Sequence, residues 1–314
     1  MLFQLGDVAV NLLSDSSQIC AYWKRLFRGP EVARTVADRD LPLSLSLQLV
    51  ETLSLPDPAG RLYRDAQGTL DVYAQPQGGF ALHFLQGALV NLHPDHDASA
   101  AGAVTAEIFA YDRLEDVTFV SLAALLRRKG CYLVHAAAVS TARGAVLFVG
   151  PTHSGKTTTG LALLLAGWKH LASDVVILSR SDGAIVAHPT PGFINVRPPT
   201  FELLPELRHL SVGTQSGNAA GARLELEGTQ WSAAAPVTAI CFPQLTSDAQ
   251  SKLEPLDASI ALARLMEESV DRWDKAALLD HMAFLTSLSQ QASHYRLLLG
   301  SDVDNLSQHL HAAL

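Results

Sequence analysis

The sequence predicts an α/β protein in which a mixed sheet is flanked by helices, with a smaller, mostly β unit at the N-terminus. First, an apolar run, a glycine-rich loop and a helical apolar pattern follow one another over residues 145–167. This is the order of a buried strand, a tight loop and a covering helix. Second, short strand-like runs separated by turn residues fill residues 61–92. Third, a chain of 314 residues with 48% apolar residues can bury a substantial core, in one large or two modest domains.

The first part of the chain is predicted to be an N-terminal α+β unit over residues 1–125. Its opening residues indicate only a short helix capped near Asp15 and a loop at LPDPAG. The strand-like runs that follow are RLYRD, TLDVYA, GFALHFL and ALVNLH, which is the pattern of a β-meander. Residues 93–102 break this pattern, and a mainly helical stretch, AEIFAYDRLEDVTFVSLAALLRRKG, comes after them.

The second domain is predicted over residues 126–314 and begins with two adjacent strands, CYLVHAAAVS and AVLFVG, that lead to the glycine loop. Further strands are predicted at HLASDVVILS, PVTAICFPQL and YRLLLG. Residues 211–221 are small and polar and predict a mobile loop, while Asp257 and Asp274 are predicted helix N-caps. The predicted apolar helix positions are Leu278, Met282, Leu285 and Leu288 in one stripe and Val303, Leu306 and Leu310 in a closing helix.

Charge and cysteine usage exclude several classes of protein. The net charge is −8, and no basic cluster of five or more residues occurs, which disfavours nonspecific nucleic-acid binding. The sequence has no apolar run of about 18 residues, so we expect no membrane span. The opening MLFQLGDVAV lacks the basic region of a signal peptide, so we expect none. Cys20, Cys131 and Cys241 are widely spaced and form no CxxC motif, so we expect free thiols in a reducing, cytoplasmic compartment.

The loop between the predicted strand and helix fits a phosphate-binding pattern, Gly-x-x-x-x-Gly-Lys-Thr, ending at Lys156 and Thr157. The glycines let successive backbone N–H groups turn inward around anionic oxygens, and the following helix directs the positive end of its dipole at them. Lys156 supplies a cation for terminal phosphates, and the Thr157 hydroxyl can ligate Mg²⁺. The predicted phosphate-binding residues are Gly150, Pro151, Thr152, His153, Ser154, Gly155, Lys156, Thr157 and Thr158.

The residues around this loop resemble one family. The stretch LVHAAAV…GAVLFVGPTHSGKTTTGLALLLAGWKHLASDVVIL is similar to the C-terminal catalytic domain of HPr kinase/phosphorylase and its relatives, which share a fold with phosphoenolpyruvate carboxykinase. Those proteins carry a His on the strand before the loop, here His135, and a glycine at the helix end, here Gly167. They also carry an acidic pair, whose two positions are Ser173 and Asp174 in this chain. The match is close near residues 131–180. It extends loosely to YRLLLGSDVDNL, which is similar to the tails of HPr-kinase-like proteins from peptide-modifying gene clusters.

The resemblance implies ATP-dependent transfer of a phosphoryl group to a serine hydroxyl on a peptide or small protein, with Mg²⁺ as the metal. Thr157 and Asp174 would hold Mg²⁺, and the implied catalytic residues are Asp174, His135, Arg197 and Ser173. In this chemistry a carboxylate accepts the hydroxyl proton and an arginine stabilises charge on the transferred group. Each candidate also has a structural interpretation: a turn aspartate, a satisfied core histidine and an exposed loop arginine.

One position departs from the family pattern. The family usually has two adjacent acidic residues, the first serving as base, and counting from Lys156 without gaps places that first position on Ser173. A serine cannot take a proton at neutral pH unaided. Either Asp174 both holds Mg²⁺ and accepts the proton, or His135 contributes to accepting the proton, or catalysis is weak. An acid introduced at position 173 is therefore expected to raise the rate of transfer.

The sequence leaves several hypotheses open on this scaffold: a serine kinase acting on a peptide or small protein, a kinase for a small hydroxylated metabolite, a catalytically weak nucleotide-binding regulator, and a plain ATPase. The complete phosphate loop favours the kinases, and the missing acid favours the regulator. We expect no nucleic-acid or membrane partner, and the sequence is compatible with a homo-oligomer. It identifies neither the acceptor nor the base of the nucleotide.

Overall fold

The computed structural model describes residues 1–27, 42–75, 78–96, 98–214, 221–269 and 271–313. The described residues divide into two compact units, the first formed by residues up to 131 together with 271–277 and the second by the remainder. Both units combine strands with helices, so the protein has the predicted α/β class, with mixed sheets flanked by helices and a smaller, mostly β unit at the N-terminus. None of the described helices combines the length and apolar character that crossing a membrane requires.

The first unit is built around one sheet. Its elements are β1 (Leu2–Leu5), β2 (Val8–Leu13), α1 (Ser17–Leu26), β3 (Leu43–Leu49), β4 (Arg61–Arg64), β5 (Leu70–Ala74), β6 (Phe80–Phe84), β7 (Ala88–His93), β8 (Ser99–Val104), α2 (Glu107–Ala110) and α3 (Leu114–Arg128). The described strands pair in the order β1-β2-β3-β8-β7-β6-β5-β4. Strands β4 to β7 are consecutive antiparallel partners, whereas β3 pairs parallel with β2 and β8. The predicted division after residue 125 falls within α3.

Helix α3 covers one face of this sheet, where it contacts β3, β7 and β8. The alternation LSLSLQL places the side chains of Leu43, Leu45 and Leu47 in the core, while the intervening serines are half-buried. The indole N–H of buried Trp23 on α1 donates to Thr118 Oγ1 at 3.0 Å, which satisfies the buried donor.

The short helix predicted to be capped near Asp15 is confirmed: its N-cap is the next residue, Ser16, whose hydroxyl accepts a hydrogen bond from Ile19 N–H. Two other features of this unit differ from the sequence interpretation. Residues 99–102, which the sequence predicts to interrupt the strand pattern, belong to β8, because pairing with β3 and β7 outweighs the low strand propensity of SAAGAV. Strand β3 was not predicted, although its Leu–Ser alternation is a period-two pattern.

Segment 271–277 joins the first unit through a buried ion cluster. The carboxylate of Asp274 accepts hydrogen bonds from Arg127 Nη2 at 2.9 Å and from Arg128, and the Arg127 guanidinium also reaches Asp271. Burial alone would raise the pKa of Asp274, but the two guanidinium groups hold it below its ordinary value. The Trp273 ring packs edge-on against Phe80, with 4.8 Å between ring centroids. Asp274 does precede a 3-10 turn, Lys275–Ala277, that leads into α7, but its carboxylate pairs with arginines and does not cap that turn.

The second unit contains the glycine loop. Its elements are β9 (Tyr132–Thr141), β10 (Gly144–Val149), α4 (Lys156–Leu165), β11 (Lys169–Ala172), β12 (Val175–Ser181), β13 (Ala184–His188), β14 (Ile194–Val196), α5 (Pro198–Leu203), β15 (Ser211–Thr214), β16 (Ala222–Leu224), β17 (Ala235–Leu245), β18 (Lys252–Pro255), α6 (Ala258–Glu267), α7 (Leu278–Gln291), β19 (Ser293–Leu299) and α8 (Leu306–Ala313). The main sheet runs β10-β9-β12-β13-β17-β19-β18, and β10 also pairs with β17. A small sheet has the order β14-β16-β15.

Strand β10 lies between two apolar layers. Val146 and Phe148 pack with helices α4 and α8 on one face, whereas Leu147 and Val149 pack with α6 and α7 on the other. This arrangement explains why the strand is a continuous apolar run and not an alternating one. Strands β10, β17 and β19 are parallel neighbours, so their carboxyl ends share one edge of the sheet, and the glycine loop emerges there.

The helix boundaries of the second unit follow the sequence at some positions and not at others. Gly167 ends α4 as predicted: its φ is +92°, and the Trp168 N–H donates to the Leu163 carbonyl at 3.0 Å, as in a Schellman motif. Asp257 caps α6 as predicted. The predicted mobile loop at 211–221 is wrong over 211–214, which form β15, and residues 215–220 of that prediction lie outside the described part of the chain.

The buried face of α7 differs from the predicted stripe. Leu285 and Leu288 are buried as predicted, but Met282 is 37% exposed, and the face is completed by His281 and Phe284. The His281 ring packs against Tyr132 and so counts as part of the buried surface. In the closing segment, the predicted apolar positions are buried: Val303, Leu306 and Leu310.

Candidate phosphate-binding and catalytic site

The glycine loop connects the end of β10 to the start of α4, with Gly155 as the residue before the helix. Gly155 has φ of +103°, and a Cβ at this position would lie 2.5 Å from Leu299 Cδ1. The backbone conformation therefore favours glycine, and a larger residue would also displace the end of the Leu299 side chain. His153 takes the left-handed conformation without being glycine, with φ of +70°, so the loop is held in a strained turn around its centre.

The N-terminus of α4 has features that an anion-binding site requires. No side chain caps it, so its first backbone N–H groups have no intrahelical acceptor and no capping oxygen. The helix dipole adds positive potential at the same end. Loop and helix end together give the donor arrangement that a phosphate group requires.

Lys156 begins α4 and its side chain is buried. Its Nζ donates to the carbonyls of Gly150 at 2.6 Å and Pro151 at 3.0 Å, so the ammonium is held over the loop. Burial lowers the pKa of Lys156, and the carboxylates of Asp174 and Glu268 oppose that effect. The lysine charge therefore interacts with both acids.

His135 links these two acids. Its Nε2 lies 3.0 Å from Asp174 Oδ1, and its Nδ1 lies 2.7 Å from Glu268 Oε2. Burial would lower the pKa of His135, but its hydrogen bonds with Asp174 and Glu268 outweigh burial and raise the pKa to about 9. At neutral pH the ring is therefore an imidazolium that donates from both nitrogens. A charged imidazole cannot accept a proton, so His135 itself is not a general base in this state.

Strand pairing explains how this cluster forms. Strands β9 and β12 are antiparallel with Val175 opposite His135, so Asp174, one residue before Val175, lies beside the His135 ring. The end of α6 reaches the same place, because the His135 N–H donates to the Glu268 carbonyl at 2.9 Å. Three separate elements thus place their polar groups together.

Ser173 occupies a different environment from its neighbour Asp174. Its side chain is buried, and its Oγ lies 3.3 Å from Nε2 of His170. Burial lowers the pKa of His170 to about 3, so this ring is neutral. The Ser173 hydroxyl is thus satisfied by an interior imidazole, whereas the Asp174 side chain is 67% exposed.

Arg197 follows β14 and lies against the glycine loop. Its Nη1 contacts the His153 ring, 2.8 Å from Nε2. Three residues later, Thr200 Oγ1 lies 2.9 Å from Thr158 Oγ1 on α4. The start of α5 is therefore held beside the loop and α4 by two contacts. The Arg197 guanidinium makes the more exposed of these contacts.

The oxygen donors near the loop fit a Mg²⁺ ion that is bound together with phosphates. Thr157 is half-exposed and Asp174 is exposed, and Mg²⁺ prefers oxygen ligands, keeps several waters and takes one or two carboxylates plus substrate phosphates. Within the described residues, no group of three or more His, Cys, Asp or Glu side chains could hold a metal by itself. The donor set therefore suits a metal that arrives with a nucleotide.

Sequence reasoning missed Glu268. It lies 133 residues from His135 along the chain, just after α6, in a stretch, MEES, that matches no motif. Only the pairing that brings the end of α6 to β9 identifies it. A cluster of acids at a helix end is most often a solvated surface, so the sequence offered no usable signal.

Comparison with known proteins gives a distant likeness to solved structures. No family model matches the chain, and no curated protein matches it. Among solved structures, the chain is similar to the HPr(Ser) kinase/phosphatase from Coxiella burnetii, with 11% identity and a TM-score of 0.29, over 58% of this chain and 95% of that one. At this level of similarity, any function has to be inferred from the residues of the site.

Proposed function

We propose that this chain is an ATP-dependent phosphotransferase that moves the terminal phosphoryl group of a nucleotide to a serine hydroxyl of a peptide or small protein. The observation that carries the proposal is the electrostatic grouping of Lys156 with Asp174, His135 and Glu268 beside an uncapped helix N-terminus. A turn without a ligand would have no need for a buried lysine whose charge interacts with two acids.

The binding step uses the loop and its lysine. The ammonium of Lys156, which donates to the Gly150 and Pro151 carbonyls in the free protein, would turn to the phosphate oxygens, and the first N–H groups of α4 would donate to them as well. Thr157 and Asp174 would hold Mg²⁺, which neutralises phosphate charge when bound. Arg197 lies beside the loop at His153 and supplies a further cation at its exposed side.

The proton of the acceptor hydroxyl would go to Asp174. This carboxylate is exposed, whereas the charged His135 ring cannot accept a proton, and the Ser173 hydroxyl is bonded to His170. A base must reach the hydroxyl at roughly 2.6–3.2 Å, directly or through one water, so one Asp that also binds metal is a compromised base. A dissociative transition state needs little help from a base, which leaves room for slow transfer.

One observation favours a second candidate, a catalytically weak nucleotide-binding regulator. The position where the family resemblance implies a base carries a buried serine whose hydroxyl lies beside a neutral histidine. Because Asp174 alone would have to hold Mg²⁺ and accept the proton, nucleotide binding would be retained while phosphoryl transfer became slow. The two candidates therefore differ in turnover and agree in nucleotide binding.

Two measurements test the proposal. Calorimetry with Mg·ATP compares the wild type with Lys156→Ala and with a matched control, Lys169→Ala, whose ammonium is exposed and donates to the Thr229 carbonyl. Charge-assisted hydrogen bonds contribute about 1.5–3 kcal/mol each, so we expect Lys156→Ala to weaken binding by about 10–100-fold and Lys169→Ala to leave it unchanged. Equal affinity in all three proteins would show that the loop is not the phosphate site.

Transfer is measured with γ-labelled ATP and serine-containing peptides, in the wild type and Asp174→Asn. Label on serine in the wild type and none in Asp174→Asn would support the kinase. Tight binding of Mg·ATP without label on any peptide would favour the regulator.

A further inference from the structure

Glu268 is attached to His135 by two hydrogen bonds. The Glu268 carbonyl accepts from the His135 N–H at 2.9 Å, and its Oε2 accepts from Nδ1 at 2.7 Å. The Glu268 side chain is 16% exposed, so solvent competes little for the second bond. The backbone hydrogen bond fixes the position of the Glu268 main chain beside His135, and the side-chain hydrogen bond fixes the plane and orientation of the His135 ring.

The orientation of the His135 ring in turn determines the orientation of the Asp174 carboxylate. The Asp174 side chain is 67% exposed, and an exposed aspartate samples several rotamers. Its bond to His135 Nε2 selects among them, because with Nδ1 committed to Glu268 the ring presents Nε2 to the other side. A carboxylate, an imidazole and a second carboxylate therefore form one continuous array whose only exposed end is Asp174.

We propose that Glu268 is a positioning residue for phosphoryl transfer, which holds the His135 ring so that Nε2 keeps the Asp174 carboxylate oriented at the phosphate-binding loop. The inference rests on the proposed function. Glu268, which directly follows α6, also provides the site with a second carboxylate, whereas the position next to Asp174 carries Ser173. An outer hydrogen-bond partner of this kind orients the group that acts and touches no substrate itself.

The kinetic test compares Glu268→Gln and Glu268→Ala with Glu267→Gln, a matched control at the neighbouring exposed position. Gln keeps an acceptor oxygen and loses the charge, whereas Ala loses both. Loss of such an outer partner typically costs about 10–100-fold, so we expect kcat to fall by this factor in Glu268→Ala, less in Glu268→Gln, and not in Glu267→Gln. KM for ATP should stay unchanged in all three. Full kcat in Glu268→Ala, or an equal loss in Glu267→Gln, would overturn the assignment.

A second readout does not depend on turnover. With ¹⁵N-labelled histidine, the His135 Nδ1–H signal of the free wild type should show a strong hydrogen bond, which is weakened in Glu268→Gln, lost in Glu268→Ala and retained in Asp174→Asn. An unchanged signal in both Glu268 variants would overturn the proposal. If the wild type transfers no phosphoryl group, the proposed function fails, while this signal still decides whether Glu268 holds the ring. Should Glu268→Ala not fold, the isosteric Gln variant decides both readouts.

Discussion

At the scale of single residues, adjacent side chains in this site have opposite roles. Ser173 faces the interior and lies beside His170, while Asp174 faces solvent and pairs with His135. Both residues lie in the bend between β11 and β12, where the Ser173 side chain is buried and the Asp174 side chain is exposed, so the two side chains have different surroundings. Counting positions from Lys156 locates Ser173 and Asp174 in the sequence, but it does not show which of the two side chains is buried.

This geometry changes the expected effect of an acid at position 173. The sequence alone predicts that Ser173→Asp raises transfer, but a carboxylate here would be buried against the neutral His170 ring. Burying an unsatisfied polar group costs about 1–3 kcal/mol, so we expect Ser173→Asp to lose about that much stability in urea denaturation without faster transfer. Ser173→Ala is the matched control and should lose less. A faster Ser173→Asp enzyme of unchanged stability would show that the side chain turns to the loop.

His135 gives the stability of the protein a defined dependence on pH. Its pKa in the folded protein is about 9, above the ordinary value of 6.5. A group whose pKa is raised on folding stabilises fully below the lower value, and that stabilisation is lost as pH rises through the higher one. We therefore expect the free energy of unfolding to fall between pH 6.5 and 9, by less than about 3 kcal/mol because the ring is partly exposed.

Urea denaturation of the wild type and His135→Gln at pH 6 and pH 9.5 measures this contribution. Groups distant from His135 titrate equally in both proteins, so the difference between them isolates the histidine together with the groups it contacts. The wild type should lose more stability than His135→Gln over this interval. Parallel losses in the two proteins would mean that the ring does not titrate with a raised pKa.

At the scale of elements, two glycines flank α4 with different constraints. Gly155 and Gly167 both have positive φ, but a Cβ at Gly155 would lie 2.5 Å from Leu299, whereas nothing lies within 4 Å of one at Gly167. Alanine at positive φ costs about 1 kcal/mol, and the added clash at the loop requires the end of the Leu299 side chain, or the loop itself, to move.

We therefore expect Gly167→Ala to lose about 1 kcal/mol of stability with normal Mg·ATP binding. Gly155→Ala should lose more stability and bind Mg·ATP weakly, because the clash with Leu299 favours a shift of the loop. Thermal denaturation and calorimetry on the two variants provide the comparison. Similar losses in both would indicate that the contact between Gly155 and Leu299 is easily relieved.

Predictability from sequence also depends on scale. The order of strand, glycine loop and helix could be predicted because each signal is local: the apolar run, the phosphate-binding pattern, and the glycine in a Schellman motif at Gly167. Strand β8 and residue Glu268 could not be predicted, because pairing partners distant in sequence decide both. His135 and Asp174 could be proposed from resemblance, but their hydrogen bond follows only from the register of β9 and β12.

At the scale of the whole molecule, the first unit is not continuous in sequence. Residues 271–277 belong to it, although they lie between helices α6 and α7 of the second unit. They provide Asp274, the carboxylate shared by two arginines of α3, and Trp273, which packs against Phe80. A segment late in the chain thus completes a core that is otherwise built from the first residues.

A fragment of residues 1–131 should therefore fold poorly by itself. Without Asp274 the Arg127 guanidinium, 3% exposed in the whole chain, would be left buried without its carboxylate, and removing one partner of a buried ion pair costs about 3–5 kcal/mol. Domains have only about 5–15 kcal/mol of stability in total. Circular dichroism and amide exchange on the fragment, with and without a synthetic peptide of residues 269–279, measure this dependence. We expect protection of α3 amides only with the peptide, and not with a matched peptide carrying Asp274→Asn. A fragment that shows full protection alone would mean that residues 271–277 contribute little to the stability of the first unit.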